Sequence, residues 1–283
     1  MSALATPVSR TPRRGFDAGR PMAALAFAAA LVLGLPVVAL VGRALLDGSL
    51  VGAVGTAAVL DALGLSLVTT SVSLVLMVLL GTPLALLLAR RRFRGSMLLE
   101  TVIDLPIVLP PSVAGLALLL LLGRNGLLGP PLAAMGIELP FTTAAVVVAQ
   151  CFVAAPFYVR SARTGFASVD HDLEDAARVD GASERALFLR VTVPLASSAL
   201  AAGLVMSWAR ALGEFGATIM FAGNIEGRTQ TLPLVVYSEF QAAGLDTSVA
   251  AASILVLAAF GVLIAVRLLH WGRVLDIRSS AGG

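Results

Sequence analysis

The sequence predicts an all-α membrane protein with six transmembrane helices. Of its 283 residues, 58% are hydrophobic and only 13% are charged, which is not the composition of a soluble domain of this length. Uncharged runs long enough to cross a bilayer lie at 22–42, 62–89, 105–123, 139–159, 191–209 and 247–266. We expect the fifth run to extend past one ion pair to about residue 225. The first run lacks a small-residue cleavage site, so we expect an uncleaved span.

Arginines set the expected orientation of these spans. All 20 basic residues are arginine, and sixteen of them lie before span one, between spans two and three, between spans four and five, or after span six. The alternate loops hold one each: Arg43, Arg124 and Arg228. The asymmetry predicts a multi-pass membrane protein with both termini in the cytoplasm. The expected organisation is a cytoplasmic tail at 1–21, a transmembrane domain at 22–271 and a second tail at 272–283.

Composition also excludes several kinds of chemistry. Without lysine, the chain cannot contain a phosphate-binding loop of the GxxxxGK[ST] type, so any ATP must be bound by another polypeptide. The single cysteine, Cys151, excludes an intramolecular disulfide. The two histidines, His171 and His270, lie outside the spans and far apart, which argues against a metal-dependent or serine-type intramembrane enzyme. We expect no catalytic residue, metal, cofactor or nucleic-acid partner for this chain.

Two features of spans two and three each have two interpretations. Span two carries five hydroxyl side chains, at Ser66, Thr69, Thr70, Ser71 and Ser73. They either permit close helix packing, which we favour, or line a pore.

The second feature is the start of span three, which reads LPIVLPPS over residues 105–112. Three prolines cannot continue one regular helix. Either the backbone breaks along a substrate path, with Pro110, Pro111 and Ser112 as candidate path or gate residues, or Pro106 simply starts the span at the membrane boundary.

The loop between spans four and five, at about 160–195, is the most charge-dense part of the chain. Six acidic residues and three arginines lie between positions 170 and 190. Asp170 is placed to cap a helix whose first turn contains Asp172 and Glu174. Gly181 is placed to end that helix in a left-handed conformation, and Ser183 to cap a second helix. The loop is therefore expected to form two short helices joined by a sharp turn.

Span five and the segment after it hold the remaining candidate path residues. Arg210 and Glu214 are four residues apart and therefore neighbours on a helix inside an otherwise uncharged span. As a pair they either fix helix packing, which we favour, or handle an anion. The outer segment that comes next along the chain adds a group of hydrogen-bond donors, of which Asn224, Arg228 and Thr229 are candidates for the path.

The pattern D-A-A, Gly four residues later, and V-T-V-P after nine more resembles the EAA motif of ABC importer permeases. The resemblance implies a type I ABC importer permease fold in which this loop is the coupling helix that docks on an ATPase. The ATPase-coupling residues it implies are Glu174, Asp175, Ala176, Ala177, Gly181 and Pro194.

Segment 115–129 resembles the permeases of molybdate and sulfate ABC importers, and segment 210–234 resembles the molybdate branch more closely, although Glu226 stands where that family commonly has proline. The resemblance implies a homodimer in the lipid bilayer of the bacterial inner membrane, two cytoplasmic ATPase subunits that bind ATP and Mg²⁺, and a periplasmic or lipoprotein molybdate-binding protein. The chain would be a transport subunit for molybdate, and tungstate is a possible second cargo. Two alternatives stay open, a sulfate or thiosulfate ABC permease and an ion-coupled secondary transporter.

Overall fold

The computed structural model describes residues 19–54, 56–91 and 93–280, and all regular structure within these ranges is helical. In chain order the helices are α1 (Arg20–Leu46), α2 (Ser49–Val54), α3 (Ala57–Arg90), α4 (Ser96–Val108), α5 (Pro111–Leu122), α6 (Gly129–Ala134), α7 (Thr143–Ala167), α8 (His171–Val179), α9 (Glu184–Leu187), a π-helix (Phe188–Thr192), α10 (Val193–Leu212), α11 (Gly216–Phe221), α12 (Leu232–Gln241) and α13 (Leu245–Ser280). Among the described residues, five helical segments are long and apolar enough to cross a bilayer, and the bent pair α4–α5 supplies a sixth. The predicted fold class is confirmed.

The third span is not the single helix expected at 105–123. Helices α4 and α5 meet at an angle of 119°. Pro106 lies inside α4 and is buried, so the interpretation in which it starts the span is wrong. The chain breaks at Leu109 and Pro110 instead, and Pro111 begins α5, where its missing N–H and fixed φ are tolerated.

The fifth span is also shorter than expected. Helix α10 ends at Leu212, so the extension to about residue 225 is wrong, and α11 is a separate helix of six residues. At the ends of the chain, residues 1–18 of the predicted N-terminal tail lie outside the described residues. Helix α13 runs to Ser280, past the boundary expected at 272.

Helices α3, α7 and α10 pack together closely at the centre of the chain. A Cβ added to Gly165 of α7 would lie 2.7 Å from the Ala199 Cβ of α10. A Cβ on Gly203 of α10 would lie 2.8 Å from the Ser161 Cβ of α7. Such small residues let helix backbones approach in a membrane, where no hydrophobic effect drives helices together.

The hydroxyl side chains of the second span serve this packing. Four of the five are buried: Ser66, Thr69, Thr70 and Ser73. The Ser73 hydroxyl donates a 3.0 Å hydrogen bond to the side-chain oxygen of Gln150 on α7. The Gln150 amide in turn donates to the Thr70 hydroxyl at 3.4 Å. The favoured interpretation, close packing rather than pore lining, therefore holds for these four side chains.

Helix α1 lies at the outside of the bundle, against α13. Its most apolar stretch has no buried residue, and its contacts lie toward its C-terminal end. There the Ser253 hydroxyl donates a 3.4 Å hydrogen bond to the carbonyl of Leu40, and Arg43 forms a 3.4 Å ion pair with Asp246.

Candidate functional site

The charged loop between α7 and α10 folds as two short helices joined by a turn. The Asp170 carboxylate caps α8 by accepting a 3.0 Å hydrogen bond from the backbone N–H of Asp172. Ser183 caps α9 by accepting a 3.3 Å hydrogen bond from the N–H of Ala186. Between the helices, Gly181 has a φ of +86°, where a side chain would be strained. The predicted caps and turn are therefore confirmed.

Helix α8 exposes apolar side chains although it lies outside the spans. Leu173 is 51% exposed and Val179 is 88% exposed. Asp175 and Ala176 are exposed beside them, and Ala177 is half-buried. Grouped apolar side chains on a polar surface mark a site of contact with another molecule. We call this exposed side of α8 the docking face, because it is suited to pack against a second polypeptide.

Glu174 faces the interior of the chain instead. It is 4% exposed, and its Oε1 accepts a 2.5 Å hydrogen bond from Arg90 and a 2.6 Å hydrogen bond from the Thr192 hydroxyl. A carboxylate enclosed in this way supports α8 from within the chain, and its part in ATPase coupling stays a prediction. Gly181 and Pro194, two other predicted coupling residues, are exposed.

Arg90 and Thr192 are functional candidates that sequence reasoning misses. They lie 84 and 18 residues from Glu174. The sequence marks Arg90 only as one of the arginines that set orientation, and Thr192 only as a position inside the V-T-V-P stretch of the motif. The available signal is helical spacing, because Glu174 does not lie on the same side of α8 as Leu173 and Ala176.

The Arg178 side chain closes the loop on its exposed side. Its guanidinium donates a 3.0 Å hydrogen bond to Glu184 of α9 and a 2.8 Å hydrogen bond to Asp175 of α8. The hydrogen bond to Glu184, together with the weaker effect of that to Asp175, raises the pKa of Arg178 above its ordinary value. These contacts are solvent-exposed, so they orient α8 and α9 without contributing much stability.

Two ion pairs hold α4 against the end of α7. Arg163 lies 2.9 Å from Glu100, and Arg160 lies 3.3 Å from Asp104. The two carboxylates are four residues apart on α4 and therefore share one face of that helix. The two ion pairs orient α4 against α7, and the apolar side chains of Leu99 and Ile103 pack on the core beside them.

A second break comes after α10, and a buried ion pair organises it. Glu214 is 1% exposed, and its Oε1 accepts a 2.7 Å hydrogen bond from the backbone N–H of Ala217 in the first turn of α11. Its Oε2 lies 2.5 Å from a guanidinium nitrogen of Arg210. The Arg210 side chain remains 28% exposed. The predicted neighbour relation is confirmed, and Glu214 has the added role of starting α11.

The two breaks lie against each other. A Cβ added to Gly216 would lie 2.7 Å from the Pro111 Cβ and 3.1 Å from the backbone nitrogen of Ser112. Pro110, Pro111 and Ser112 are exposed in the isolated chain. Helix α5 begins at one break and α11 at the other, so two candidate groups from distant parts of the sequence meet at one place. We call this meeting point the junction.

The outer candidates are not part of the junction. Thr229 is fully buried, and its hydroxyl accepts a 2.9 Å hydrogen bond from the N–H of Ile225, so it stabilises the fold of its own loop. Its place on the path stays a prediction. The Asn224 amide donates a 2.6 Å hydrogen bond to the Ser238 hydroxyl. Arg228 is exposed, and its carbonyl accepts a 2.8 Å hydrogen bond from the Thr143 hydroxyl. Of the three candidates, Arg228 has a charged side chain directed to solvent.

Comparisons with known proteins were made on sequence and on structure. Residues 81–271 match the family described as binding-protein-dependent transport system inner membrane component. The molybdenum transport system permease protein ModB of Mycobacterium tuberculosis is 46% identical over 205 residues, which cover 72% of this chain and 77% of that protein. The sulfate transport system permease protein CysW of Synechococcus elongatus is 41% identical over 184 residues, 64% of each chain.

Among solved structures, a bacterial ABC transporter involved in the import of the polysaccharide alginate has a similar fold. The TM-score is 0.71, and the match covers 88% of this chain and 93% of that chain. The two sequences are 17% identical, so this likeness concerns the fold alone.

Proposed function

Because the chain belongs to the family of binding-protein-dependent transport system inner membrane components, we propose that it is the membrane-spanning subunit of an ATP-driven molybdate importer. It is a multi-pass inner-membrane protein and a transport component of its system. The cargo rests on the 46% identity to a molybdenum permease over 72% of the chain. Tungstate has the same shape and charge as molybdate and is the expected second cargo.

The docking face of α8 is the observation that carries the ATP-driven part of this proposal. It is an apolar surface, with Val179 88% exposed, on a capped helix outside the spans. A cytoplasmic ATPase subunit that bound ATP and Mg²⁺ would dock there and displace α8 during its cycle. The arginine asymmetry supports this placement, because it puts the loop and both termini in the cytoplasm.

The assembly we propose is a homodimer of this chain with two ATPase subunits and an external molybdate-binding protein. A path on the twofold axis between two copies would open outward when ATP closes the ATPases. Hydrolysis would then return the path to the inward-open state.

The junction of the two breaks is the proposed position of the path. Irregular backbone at membrane depth is stable only where protein or water satisfies its polar groups. Arg210 supplies one positive charge there, and Glu214 reduces its net effect. A dianion is then attracted without being trapped, as permeation requires.

Sulfate is the second candidate cargo, since CysW is 41% identical to this chain. Sulfate and molybdate are both tetrahedral dianions, so the charge of Arg210 attracts them alike. We assign the discrimination to the binding protein and give molybdate preference because of the higher identity to ModB.

The test is uptake into proteoliposomes that contain the permease, the ATPase encoded beside it and the cognate binding protein. Radiolabelled molybdate should accumulate with ATP inside the vesicles and the binding protein outside, in the absence of any proton or sodium gradient. Tungstate should compete at similar concentrations and sulfate only at far higher ones. Uptake that needs an ion gradient and ignores ATP would assign the chain to secondary transporters, and preferential sulfate competition would reassign the cargo.

A further inference from the structure

We propose that the buried contact of Glu174 with Arg90 and Thr192 is the joint that transmits movement of α8 to the second and fifth spans. We call these three residues the α8 joint. This inference rests on the proposed ATP-driven function, because it gives that function its mechanical link inside the permease. It makes all three positioning residues, since they act through the helices that they connect.

The first argument is the burial of a carboxylate where burial is otherwise unexpected. Glu174 is the one buried residue of α8, and its side chain is 6% exposed. An enclosed carboxylate is costly unless it is paired and hydrogen-bonded. Here Oε1 receives both the guanidinium of Arg90 and the hydroxyl of Thr192. A residue needed only for solubility would lie on the exposed side.

The second argument is that the two partners of Glu174 belong to the ends of membrane spans. Arg90 is the last residue of α3, which is 34 residues long and spans the membrane. Thr192 is the last residue of the π-helix, and α10 continues from it to the break at Gly213. A displacement of α8 therefore acts on the ends of two spans at once, and α10 leads directly to the junction.

The third argument is the π-helix between α9 and α10. A π-helical turn is rare, and such turns occur frequently at functional sites. This one spans Phe188–Thr192, between the docking face and the fifth span. Because its hydrogen bonds join residues five apart instead of four, the π-helical turn is wider than an α-helical turn. It is therefore a place where α9 and α10 can change their relative angle. The α8 joint holds its final residue.

The experiment uses the complete complex in proteoliposomes and measures ATP hydrolysed per molybdate transported. The central variant is Glu174→Gln, which keeps the side-chain size but removes the charge. The matched control is Glu138→Gln, the same change in an exposed ion pair with Arg124. Copurification of the ATPase is measured in both variants, because loss of docking must be separated from loss of transmission.

We expect Glu174→Gln to bind the ATPase as wild type does, since Glu174 does not lie on the docking face. Uptake should fall about tenfold at unchanged hydrolysis, which corresponds to the loss of one charged hydrogen bond. The ratio of ATP to molybdate should rise by the same factor, while Glu138→Gln keeps the wild-type ratio. The single variant Arg90→Lys, which retains the positive charge, should keep most of the wild-type coupling.

Two results would overturn the joint. One is a wild-type ratio of ATP to molybdate in Glu174→Gln. The other is a parallel loss of ATPase copurification and uptake, which would show that the contact is needed only for folding. If Glu174→Gln does not accumulate in the membrane, Thr192→Val provides the same test with a smaller change and an expected loss of about threefold. Absence of ATP-driven uptake in the wild-type complex would contradict the proposed function, not the joint.

Discussion

Replacing Gly115 with alanine should destabilise the contact between α5 and α11. The added Cβ would lie 2.7 Å from both the carbonyl oxygen of Ala217 and the Cβ of Met220. Because the Ala217 atom belongs to the backbone, the two helices have to separate to make room. Overpacking of this kind costs about 1–3 kcal/mol. At about 2–4 °C per kcal/mol for a chain of this size, the melting temperature should fall by about 2–12 °C.

The control is Gly64→Ala on α3, where an added Cβ meets no atom within 4 Å. Alanine is the better helix former by about 1 kcal/mol, so this variant should be unchanged or slightly more stable. Both are measured on the purified permease in detergent, by the temperature at which half of the intrinsic fluorescence change has occurred. Equal melting temperatures for the two variants would refute the close contact between α5 and α11.

Three further predictions concern the turn, the ion pair and the orientation. Gly181→Val should lower ATPase copurification, because a β-branched residue at φ +86° is strained by about 1–2 kcal/mol. Gly181→Asn should be tolerated, and equal effects of the two variants would refute this explanation. Arg210→Leu should lower membrane abundance, because an unpaired buried carboxylate costs about 3–5 kcal/mol. Arg210→Leu with Glu214→Gln should restore abundance but not uptake, and restored uptake would make the pair purely structural. A reporter after Arg278 should be cytoplasmic and one at Asp47 external, and the opposite result would reverse the topology.

The parts of the site that sequence reasoning captures are those determined by short-range geometry. Asp170 and Ser183 are caps because their side chains reach an N–H two or three residues away. Gly181 is a turn because its backbone conformation is accessible to few other residues. Each of these features depends on a few consecutive residues, so the pattern is sufficient to place it.

The parts that sequence reasoning misses depend on contacts between distant segments. The motif includes Glu174 among the coupling residues, but the orientation of its side chain depends on Arg90, which is 84 positions earlier. The prolines predict a break in the third span without locating it, because Pro106 and Pro110 are equally able to disrupt a helix. Thr229 looks like an exposed polar residue in the sequence, and only the folded loop shows that it is buried with its hydroxyl oxygen accepting from the Ile225 N–H.

The attachment of α1 to α13 has a consequence for how the chain is made. Helix α1 has its main partner in α13, across sequence separations of 213 and 203 residues. Before α13 is made, α1 is stable in lipid, because a helix satisfies its own backbone hydrogen bonds and the apolar stretch of α1 has a mean hydropathy of 2.6. A chain truncated before Asp246 would be inserted with α1 lacking both of these contacts. The packing of α1 on the bundle is therefore completed only after α13 has been made.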